Sequence, residues 1–493
     1  MQERYKKLGK NTLLVFLGKA GSSVIWLWYI LFLAVTFCLS WTHEPWLDEL
    51  VAWRISKGSF ADIFQEMRYQ GHFMPWYLLL YPFSHSGCSF AAMGVVSWAV
   101  NAIAVGYFLK KAPFAWWAKV AVTVSAPFLY LLPAISRCYV LIPLLIFPLA
   151  DRFARISEGD ANTGKAYLLS GLFLGLMANT HVYMEGYVLT VSLLMFVKTA
   201  REWKTLDARG KKLRMLAFFL VAAGLLAAFV QIAPSVNVSK VFLHPSDKVA
   251  ANLPRVLALF VHHKLLIVAL VMAVAAVAAA VFWLAKKNLG AALVFVVSCL
   301  FMGVVAVAVY LSPHALAQFW FYILLFALWL VCRRDSSGGK TCLYISIGVA
   351  VLSICLVNFR TPLRDVRTFY SEESAFASFL KAEVSPSDTL YVAPSPIHGG
   401  FNNVVFEEYL PQYHFVYLER EEQVDDVVRP GAPQRSVYLI DGYAKFYDSD
   451  RERFEAFRSK MTCPYEVLYP RAGEQQDVNR HYYYLYKFIG ARE

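Results

Sequence analysis

Apolar segments of near-membrane length follow one another along most of the chain, and no other feature limits its fold so strongly. Most of them reach the roughly 17–25 residues that an α-helix needs to cross the hydrocarbon core of a bilayer. The chain of 493 residues is 58% hydrophobic and only 17% charged, so a water-soluble core could not enclose its apolar surface. The sequence therefore predicts a polytopic α-helical membrane protein.

Segment length and flanking charge predict about eleven spans. They lie near 24–40, 91–109, 114–131, 140–150, 167–179, 182–197, 215–233, 265–284, 291–311, 315–331 and 343–357. Lys and Arg concentrate in the short loops on one side of this alternation, which is the cytoplasmic side by the positive-inside rule. We therefore expect an inner (plasma) membrane protein with a cytoplasmic N-terminus and an extracytoplasmic C-terminus. Because this rule also explains the net charge of +12, nucleic acid is not an expected partner.

The composition changes after residue 357, and residues 358–493 are polar enough to fold in water. Strand-like runs are expected near 389–393, 415–418, 436–440, 465–469 and 481–488, and helices near 372–383, 403–409 and 449–461. This alternation predicts a small extracytoplasmic α/β domain that follows a transmembrane catalytic domain at 1–357.

The segment 41–76, between the first two predicted spans, carries many ionisable groups among Trp, Tyr and Phe side chains. Its sharpest feature is the acidic pair Asp48 and Glu49, which lies between Trp46 and Trp53. Helix capping or loop solvation explains most acidic pairs, but carboxylates close to hydrocarbon tend to cluster at functional sites. Neighbouring residues on a helix project about 100° apart, so one carboxylate can face a reacting group while the other holds structure. We interpret 41–76 as a first outer catalytic loop.

Further ionisable side chains fall in predicted loops on the same outer side, namely those of His72, Arg137, His181, Glu185 and His314. Such groups are costly near hydrocarbon and usually face a cavity. The planar guanidinium of Arg137 suits a phosphate, although an arginine there can also extend to lipid headgroups. His181 and Glu185 are four residues apart and either contact a substrate or pair with each other. His72 either acts at the site or anchors the interface together with its aromatic neighbours.

Transfer of a sugar from a polyprenyl phosphate fits this set of groups. Its phosphate leaving group needs cations to hold developing charge, and the incoming hydroxyl needs one carboxylate as a base. The sequence suggests no metal cluster, and it leaves open whether a divalent metal joins Asp48 or Glu185. A transporter or lipid flippase is the main alternative, but it would place polar residues near the midplane in paired broken helices. A non-catalytic scaffold that binds through the C-terminal domain is a second alternative.

At these residues the chain resembles the GT-C superfamily of polyprenyl-phosphate-sugar glycosyltransferases. It is most similar to the branch that contains protein O-mannosyltransferases and the lipid A aminoarabinose transferase. The motifs that carry the resemblance are Leu47-Asp48-Glu49, His72-x-x-Pro75-Trp76-Tyr77-Leu78-Leu79, and Ser136-Arg137-x-Tyr139.

The resemblance implies an integral-membrane enzyme that transfers a sugar, with inversion, to an extracytoplasmic glycan, lipid or protein. It implies that Asp48 is the base for the acceptor hydroxyl, that Glu49 assists it, and that Arg137 binds the donor phosphate. His72 and Tyr139 are expected to join Arg137 at the phosphate, and His181, Glu185 and His314 are expected to bind substrate. One departure from the pattern is Ser312-Pro-His314, where relatives often have a basic or Arg-Tyr motif.

Overall fold

In the computed structural model of the protein, the described residues are 23–45, 47–68, 71–159, 163–232, 279–308, 313–334, 340–367, 372–393, 402–418, 423, 437–444, 448–461, 464–470 and 481–488.

Helices form most of the chain before the C-terminal segment. They are α1 (Ser23–Thr42), α2 (Leu47–Ser56), α3 (Phe60–Met67), α4 (Pro75–His85), α5 (Ala92–Lys111), α6 (Trp116–Val124), α7 (Leu141–Glu158), α8 (Thr163–Met177), α9 (Glu185–Glu202), α10 (Ala208–Ile232), α11 (Leu289–Ala308), α12 (Pro313–Arg334) and α13 (Lys340–Cys355). A further helical stretch covers residues 279–287.

Six helices in the described part of the chain are long and apolar enough to cross a membrane: α1, α5, α9, α10, α11 and α12. A seventh is counted if α13 and the short helix after it form one bent span, and α8 is a shorter apolar helix. The protein is therefore a polytopic α-helical membrane protein, as the sequence predicts. The number of about eleven spans stays a prediction, and the span expected near 265–284 lies largely outside the described residues.

The span expected at 114–131 is divided in the structure into two shorter elements. The helix α6 ends at Val124, and Ser125 has extended backbone with its Oγ donating to the carbonyl oxygen of Val122, at 2.6 Å. A π-helix then covers Pro127–Leu131. Pro127 has no backbone N–H to continue the hydrogen bonding of α6, so the helix cannot run on unchanged. The hydropathy of the segment gave no sign of this break.

Glycines allow α8 and α10 to pack backbone against backbone. A Cβ atom on Gly175 would lie 2.6 Å from the carbonyl oxygen of Leu220, which is closer than real Cβ contacts come. Gly171 meets the backbone of Ala217, and Gly224 meets that of Gly175, with equally little room for a side chain. Such close crossings at small residues are typical of helix packing in membranes.

A polar network joins the end of this helix pair to the loop before α4. The Nδ2 of Asn179 donates to the carbonyl oxygens of Gly175 and Gly224, at 2.9 Å each. The Nε2 of Gln231 donates to Oδ1 of Asn179 at 3.0 Å, and its Oε1 accepts from the backbone N–H of Met74 at 3.1 Å. The loop that carries His72 is thereby fixed to two membrane helices.

The C-terminal segment is an α/β fold, as the sequence predicts. Its elements are α14 (Arg360–Arg367), α15 (Glu372–Glu383), β1 (Thr389–Val392), α16 (Asn402–Tyr409), β2 (His414–Tyr417), β3 (Val437–Ala444), α17 (Asp448–Lys460), β4 (Tyr465–Tyr469) and β5 (His481–Phe488). The five strands have the order β2-β1-β3-β5-β4; β1 is parallel to β2 and β3, and β5 is antiparallel to β3 and β4. Strand β3 runs beyond the expected 436–440 because it pairs with β5 up to Ala444.

Contacts within the chain define two compact units. The first comprises Met1–Ser40, Ser59–Leu79 and Val95–Asn358, and the second comprises Trp41–Gly58, Leu80–Gly94 and Phe359–Glu493. The change at residues 358 and 359 falls where the composition changes. The loop 41–76 contributes to both units, since α2 groups with the C-terminal segment. A functional division into a catalytic domain at 1–357 and an extracytoplasmic domain at 358–493 stays a prediction.

Candidate functional site

Arg137, in the first unit, lies at the entrance to α7. Its backbone is extended, with φ −122° and ψ 159°, and it precedes a 3-10 turn at Cys138–Val140. Cys138 and Val140 are buried, whereas Arg137 and Tyr139 are half-buried, so the turn places the latter two on its less enclosed side. The Arg137 guanidinium carbon lies 5.8 Å from the centre of the Tyr139 ring, within the range of a cation–π contact.

His72 contacts Arg137 from the loop before α4. The NH2 group of Arg137 donates to Nε2 of His72 at 3.4 Å. Because a guanidinium has only donors, Nε2 is the acceptor and the ring proton lies on Nδ1. That Nδ1–H then donates to the hydroxyl oxygen of Tyr77, at 3.2 Å. The three side chains form one chain of hydrogen bonds that starts at a permanent cation.

A backbone bridge fixes His72 beside His181. The two residues pair as an isolated antiparallel bridge, and the N–H of Val182 donates to the carbonyl oxygen of Gly71 at 2.8 Å. Gly71 has φ +69°, in the left-handed region that glycine adopts without strain. The centres of the two imidazole rings are 6.4 Å apart.

Aromatic side chains enclose His181. Its ring centre lies 5.6 Å from that of Tyr139, 5.1 Å from that of Phe319 and 4.8 Å from that of Tyr183. The backbone N–H of Tyr183 donates to its Nδ1 at 3.1 Å, which makes His181 the cap of the 3-10 turn that precedes α9. The side chain is therefore oriented as well as buried.

Burial lowers the pKa of His181 well below its usual 6.5, and the nearby His72 and Arg137 lower it further. The imidazole is therefore neutral at physiological pH, in agreement with a Nδ1 that accepts a hydrogen bond. We call His72, Arg137, Tyr139 and His181 the arginine cluster. A permanent guanidinium beside oriented N–H groups and aromatic rings is chemically suited to a phosphate oxygen.

Glu185 and His314 lie at the starts of α9 and α12. Glu185 is the first residue of α9, is 9% exposed, and its Oε1 has no hydrogen-bond partner among the described residues. No hydrogen bond joins these two described residues, His181 and Glu185, because the extended backbone of His181 takes it out of the helix. His314 occupies the second position of α12, and its side chain lies outside the described residues.

Asp48 and Glu49 lie in the first turn of α2, in the second unit. Asp48 is half-buried, whereas Glu49 is fully buried and accepts a hydrogen bond from Nε2 of His43 at 2.9 Å. The difference in burial agrees with the angle of about 100° between neighbouring helix residues. The catalytic roles of both carboxylates stay predictions.

His43 is held between two buried carboxylates. Its Nδ1 donates to Oδ2 of Asp365 at 2.8 Å, opposite the contact of its Nε2 with Glu49. Burial alone lowers the pKa of His43, but Glu49 and Asp365 outweigh it and raise the pKa to about 10. His43 is therefore an imidazolium at neutral pH. Sequence reasoning missed this cluster because Asp365 is 322 residues away and no spacing connects them.

The candidate residues thus form two groups, each in its own unit. The arginine cluster and Glu185 belong to the first unit, and Asp48 and Glu49 belong to the second. A meeting of Asp48 with Arg137 stays a prediction. Within the described ranges, no group of three or more His, Cys, Asp or Glu side chains could hold a metal ion.

No protein-family model matches the sequence, and no curated protein matches it. Solved structures do match. ArnT from Cupriavidus metallidurans bound to undecaprenyl phosphate has a TM-score of 0.54 at 10% sequence identity, over 95% of this chain and 99% of that one. This chain has the fold of ArnT. The apo state of ArnT matches with a TM-score of 0.50 at 10% identity, over 95% of this chain and 98% of that one.

The match confirms the fold that the resemblance to GT-C enzymes implies. It extends over the ArnT chain almost from end to end, so both the membrane part and the C-terminal segment are included. At 10% identity the likeness to ArnT concerns the fold alone, and the residue roles have to be argued from this chain's own geometry.

Proposed function

We propose that the protein is an integral-membrane glycosyltransferase that moves a sugar from a polyprenyl-phosphate donor to an extracytoplasmic acceptor, which is a glycan, a lipid or a protein. The observation that carries this proposal is the contact between Arg137 and His72, next to the aromatic rings around His181, in a chain with the fold of ArnT. ArnT is a protein whose crystal structure contains undecaprenyl phosphate.

In this proposal the arginine cluster binds the donor phosphate. The Arg137 guanidinium supplies a fixed positive charge, and its orientation is set by the 3-10 turn and by the acceptor Nε2 of His72. Tyr139 covers one side of the guanidinium. As the bond from the sugar to the phosphate breaks, negative charge grows on the phosphate. Preorganised hydrogen-bond donors stabilise this charge most strongly in the transition state.

Asp48 serves as the general base. The oxygen of the acceptor hydroxyl attacks the anomeric carbon from the face opposite the phosphate, and its proton passes to the Asp48 carboxylate. The bond from the anomeric carbon to the phosphate oxygen breaks, and its electron pair stays with the phosphate. A single displacement of this kind inverts the anomeric configuration. A half-buried carboxylate in the first turn of a helix is stabilised as an anion before it takes the proton.

The remaining candidates have supporting roles. Glu49 assists Asp48 through the fold of α2, since it is buried against His43. His181 and Glu185 contact the sugar or the lipid phosphate from the turn before α9, and His314 does so from the start of α12. The N-terminus is cytoplasmic and the C-terminal segment is extracytoplasmic in an inner membrane, which places the acceptor outside the cytoplasm.

The test uses the full-length protein in nanodiscs, with a lipid extract that contains undecaprenyl-phosphate sugars and an envelope fraction from a strain that lacks the protein. Mass spectrometry follows release of undecaprenyl phosphate and the sugar mass gained by the acceptor. Replacing Asp48 by Asn is expected to lower this turnover by about 10²–10⁴-fold, the usual contribution of a general base. Binding of undecaprenyl phosphate alone should be unchanged, and parallel reactions with a chelator decide whether a divalent metal takes part.

Glu66→Gln is the matched control, because Glu66 is an exposed carboxylate in the same loop. It should keep wild-type turnover. Sugar transfer at the wild-type rate by the Asp48→Asn variant would contradict the role of Asp48 as the general base. Movement of the lipid across a liposome membrane without any transfer of sugar would instead support the flippase.

A further inference from the structure

The helix α2 packs against the C-terminal segment within the second unit. Leu50 is completely buried and packs against Phe90 and Tyr409. The hydroxyl of Tyr409, the last residue of α16, donates to the carbonyl oxygen of Pro45 at 3.1 Å. The helix that carries Asp48 is therefore held on one side by a helix of the α/β fold.

Two ion pairs lie at the other end of α2. Arg54 contacts Glu407 at 3.0 Å, and Lys57 contacts Glu408 at 2.6 Å. The side chains of Arg54 and Glu407 are 45% and 40% exposed, so water screens their attraction and this pair stabilises little. These pairs add to the contact but cannot fix the first turn of the helix.

The first turn is fixed by a different kind of contact. The His43 side chain is 2% exposed and donates to Glu49 at 2.9 Å and to Asp365 at 2.8 Å. Charge-assisted hydrogen bonds of this length are about twice as strong as neutral ones. Because Glu49 directly follows Asp48, this buried contact ties the residue next to the proposed base to α14.

We propose that His43 and Asp365 are positioning residues, which hold the first turn of α2, and with it the Asp48 carboxylate, against α14 of the C-terminal segment. This inference rests on the proposed function of Asp48. Both are buried, so the proposed role is to hold α2 and not to bind substrate. In this proposal the C-terminal segment takes part in catalysis by setting the position of the base. It does so through α14, which begins at Arg360, whereas the first unit ends at Asn358.

The expected size of the effect follows from geometry. A misplacement of about 1 Å at a reacting group can cost on the order of 100-fold in rate, even when its cause lies away from the chemistry. Loss of one hydrogen bond in the buried contact loosens α2 without removing the base. We therefore expect a smaller loss than for Asp48→Asn, and a loss in turnover rather than in donor binding.

The principal variant is Asp365→Asn, because it leaves the imidazolium paired with Glu49. In the nanodisc assay it is expected to release undecaprenyl phosphate about 10-fold more slowly, with an unchanged Kd for undecaprenyl phosphate. His43→Gln should lose at least as much turnover. Asp365→Glu, which keeps the carboxylate, should recover most of the rate, and Arg54→Gln on the same helix should keep wild-type turnover.

Several results would overturn the inference. Wild-type turnover in a folded Asp365→Asn variant would do so, and so would a weaker Kd for undecaprenyl phosphate at unchanged turnover. An equal loss in Arg54→Gln would show that any contact of α2 matters, and the assignment to His43 and Asp365 would fail. If Asp48→Asn abolishes turnover while Asp365→Asn does not, only this inference fails; if Asp48→Asn is fully active, the proposed function itself fails.

Discussion

The two buried histidines of this protein, His181 in the first unit and His43 in the second, have opposite protonation states. Both are almost fully enclosed, with 1% and 8% of their surface exposed, so burial disfavours the charged form of each. His181 has Arg137 and His72 as neighbours, and it stays neutral. His43 lies between two carboxylates and is charged. The sign of the neighbouring charges, and not the depth of burial, decides the state of a buried imidazole.

The two histidines belong to clusters that are held together in different ways. The arginine cluster is assembled in part by backbone contacts, such as the bridge between His72 and His181. The cluster around His43 uses its charges within the protein, as a contact between α2 and α14. Four measurements test this contrast.

The largest effect is expected on stability when each histidine is replaced. His43→Gln removes the imidazolium that lies between two buried carboxylates, which should lower the free energy of unfolding by about 3–5 kcal/mol. His181→Asn keeps an acceptor for the N–H of Tyr183 and loses only ring packing, so about 1–2 kcal/mol is expected. Denaturant unfolding of the purified protein in detergent measures both. Equal losses would contradict the distinction between a charged and a neutral histidine.

The next effect concerns ligand binding by the arginine cluster. Arg137→Ala should weaken the binding of undecaprenyl phosphate about 100-fold, since it removes hydrogen bonds between charged groups. Arg137→Lys should lose about 10-fold, because an ammonium cannot reproduce the planar fork of the guanidinium. Arg152→Ala serves as the control, as Arg152 donates instead to Tyr107 and to a carbonyl oxygen of α7. If substitution of Arg137 leaves the Kd for undecaprenyl phosphate unchanged, the arginine cluster does not bind the donor phosphate.

A smaller effect should show how far the first unit depends on backbone packing. Gly175→Ala places a Cβ atom 2.6 Å from the carbonyl oxygen of Leu220, and forcing α8 from α10 should cost about 1–3 kcal/mol of unfolding free energy. Gly348→Ala in α13 is the matched control, since nothing lies within 4 Å of the added atom. That substitution should be neutral or stabilising by about 0.5–1 kcal/mol. A tolerated Gly175→Ala would mean that the helix pair has room to separate.

The fourth measurement is the pH dependence of thermal stability, read as the shift of Tm with pH. The pKa of His43 is raised from 6.5 to about 10 in the folded state, so its contribution is complete below pH 6.5 and is lost as pH rises through about 10. The pKa of His181 is lowered, so its contribution is present above pH 6.5 and is lost as pH falls below that value. Melting curves from pH 5 to 10 should lose their alkaline slope in His43→Gln and their acid slope in His181→Asn.

Much of the fold could be predicted from the sequence because it rests on local patterns. Apolar length predicts the membrane helices, and strict alternation predicts the strands of the C-terminal sheet, with β4 and β5 found at the expected residues. The prediction of one continuous span at 114–131 was wrong, because a proline interrupts the helix there. The break at Ser125 and Pro127 divides a segment whose composition is uniformly apolar.

The candidate site was predictable in part. Arg137, His72 and His181 were singled out because ionisable residues close to hydrocarbon are costly, and the structure brings these three together. His43 gave no such signal, since a single histidine beside a membrane helix is unremarkable without its partners. Its role depends on a contact with Asp365 that only the folded chain creates, and no periodicity or motif spans that separation.

The second unit is assembled from three separate stretches of the chain, Trp41–Gly58, Leu80–Gly94 and Phe359–Glu493. During synthesis the stretch with Asp48 emerges early, whereas Asp365 emerges 322 residues after His43. Non-local contacts of this kind form late, because the intervening chain must first be in place. A nascent or truncated chain that ends before residue 359 therefore lacks the contact of His43 with Asp365, and we expect the proposed sugar transfer only after the chain has been made past Asp365.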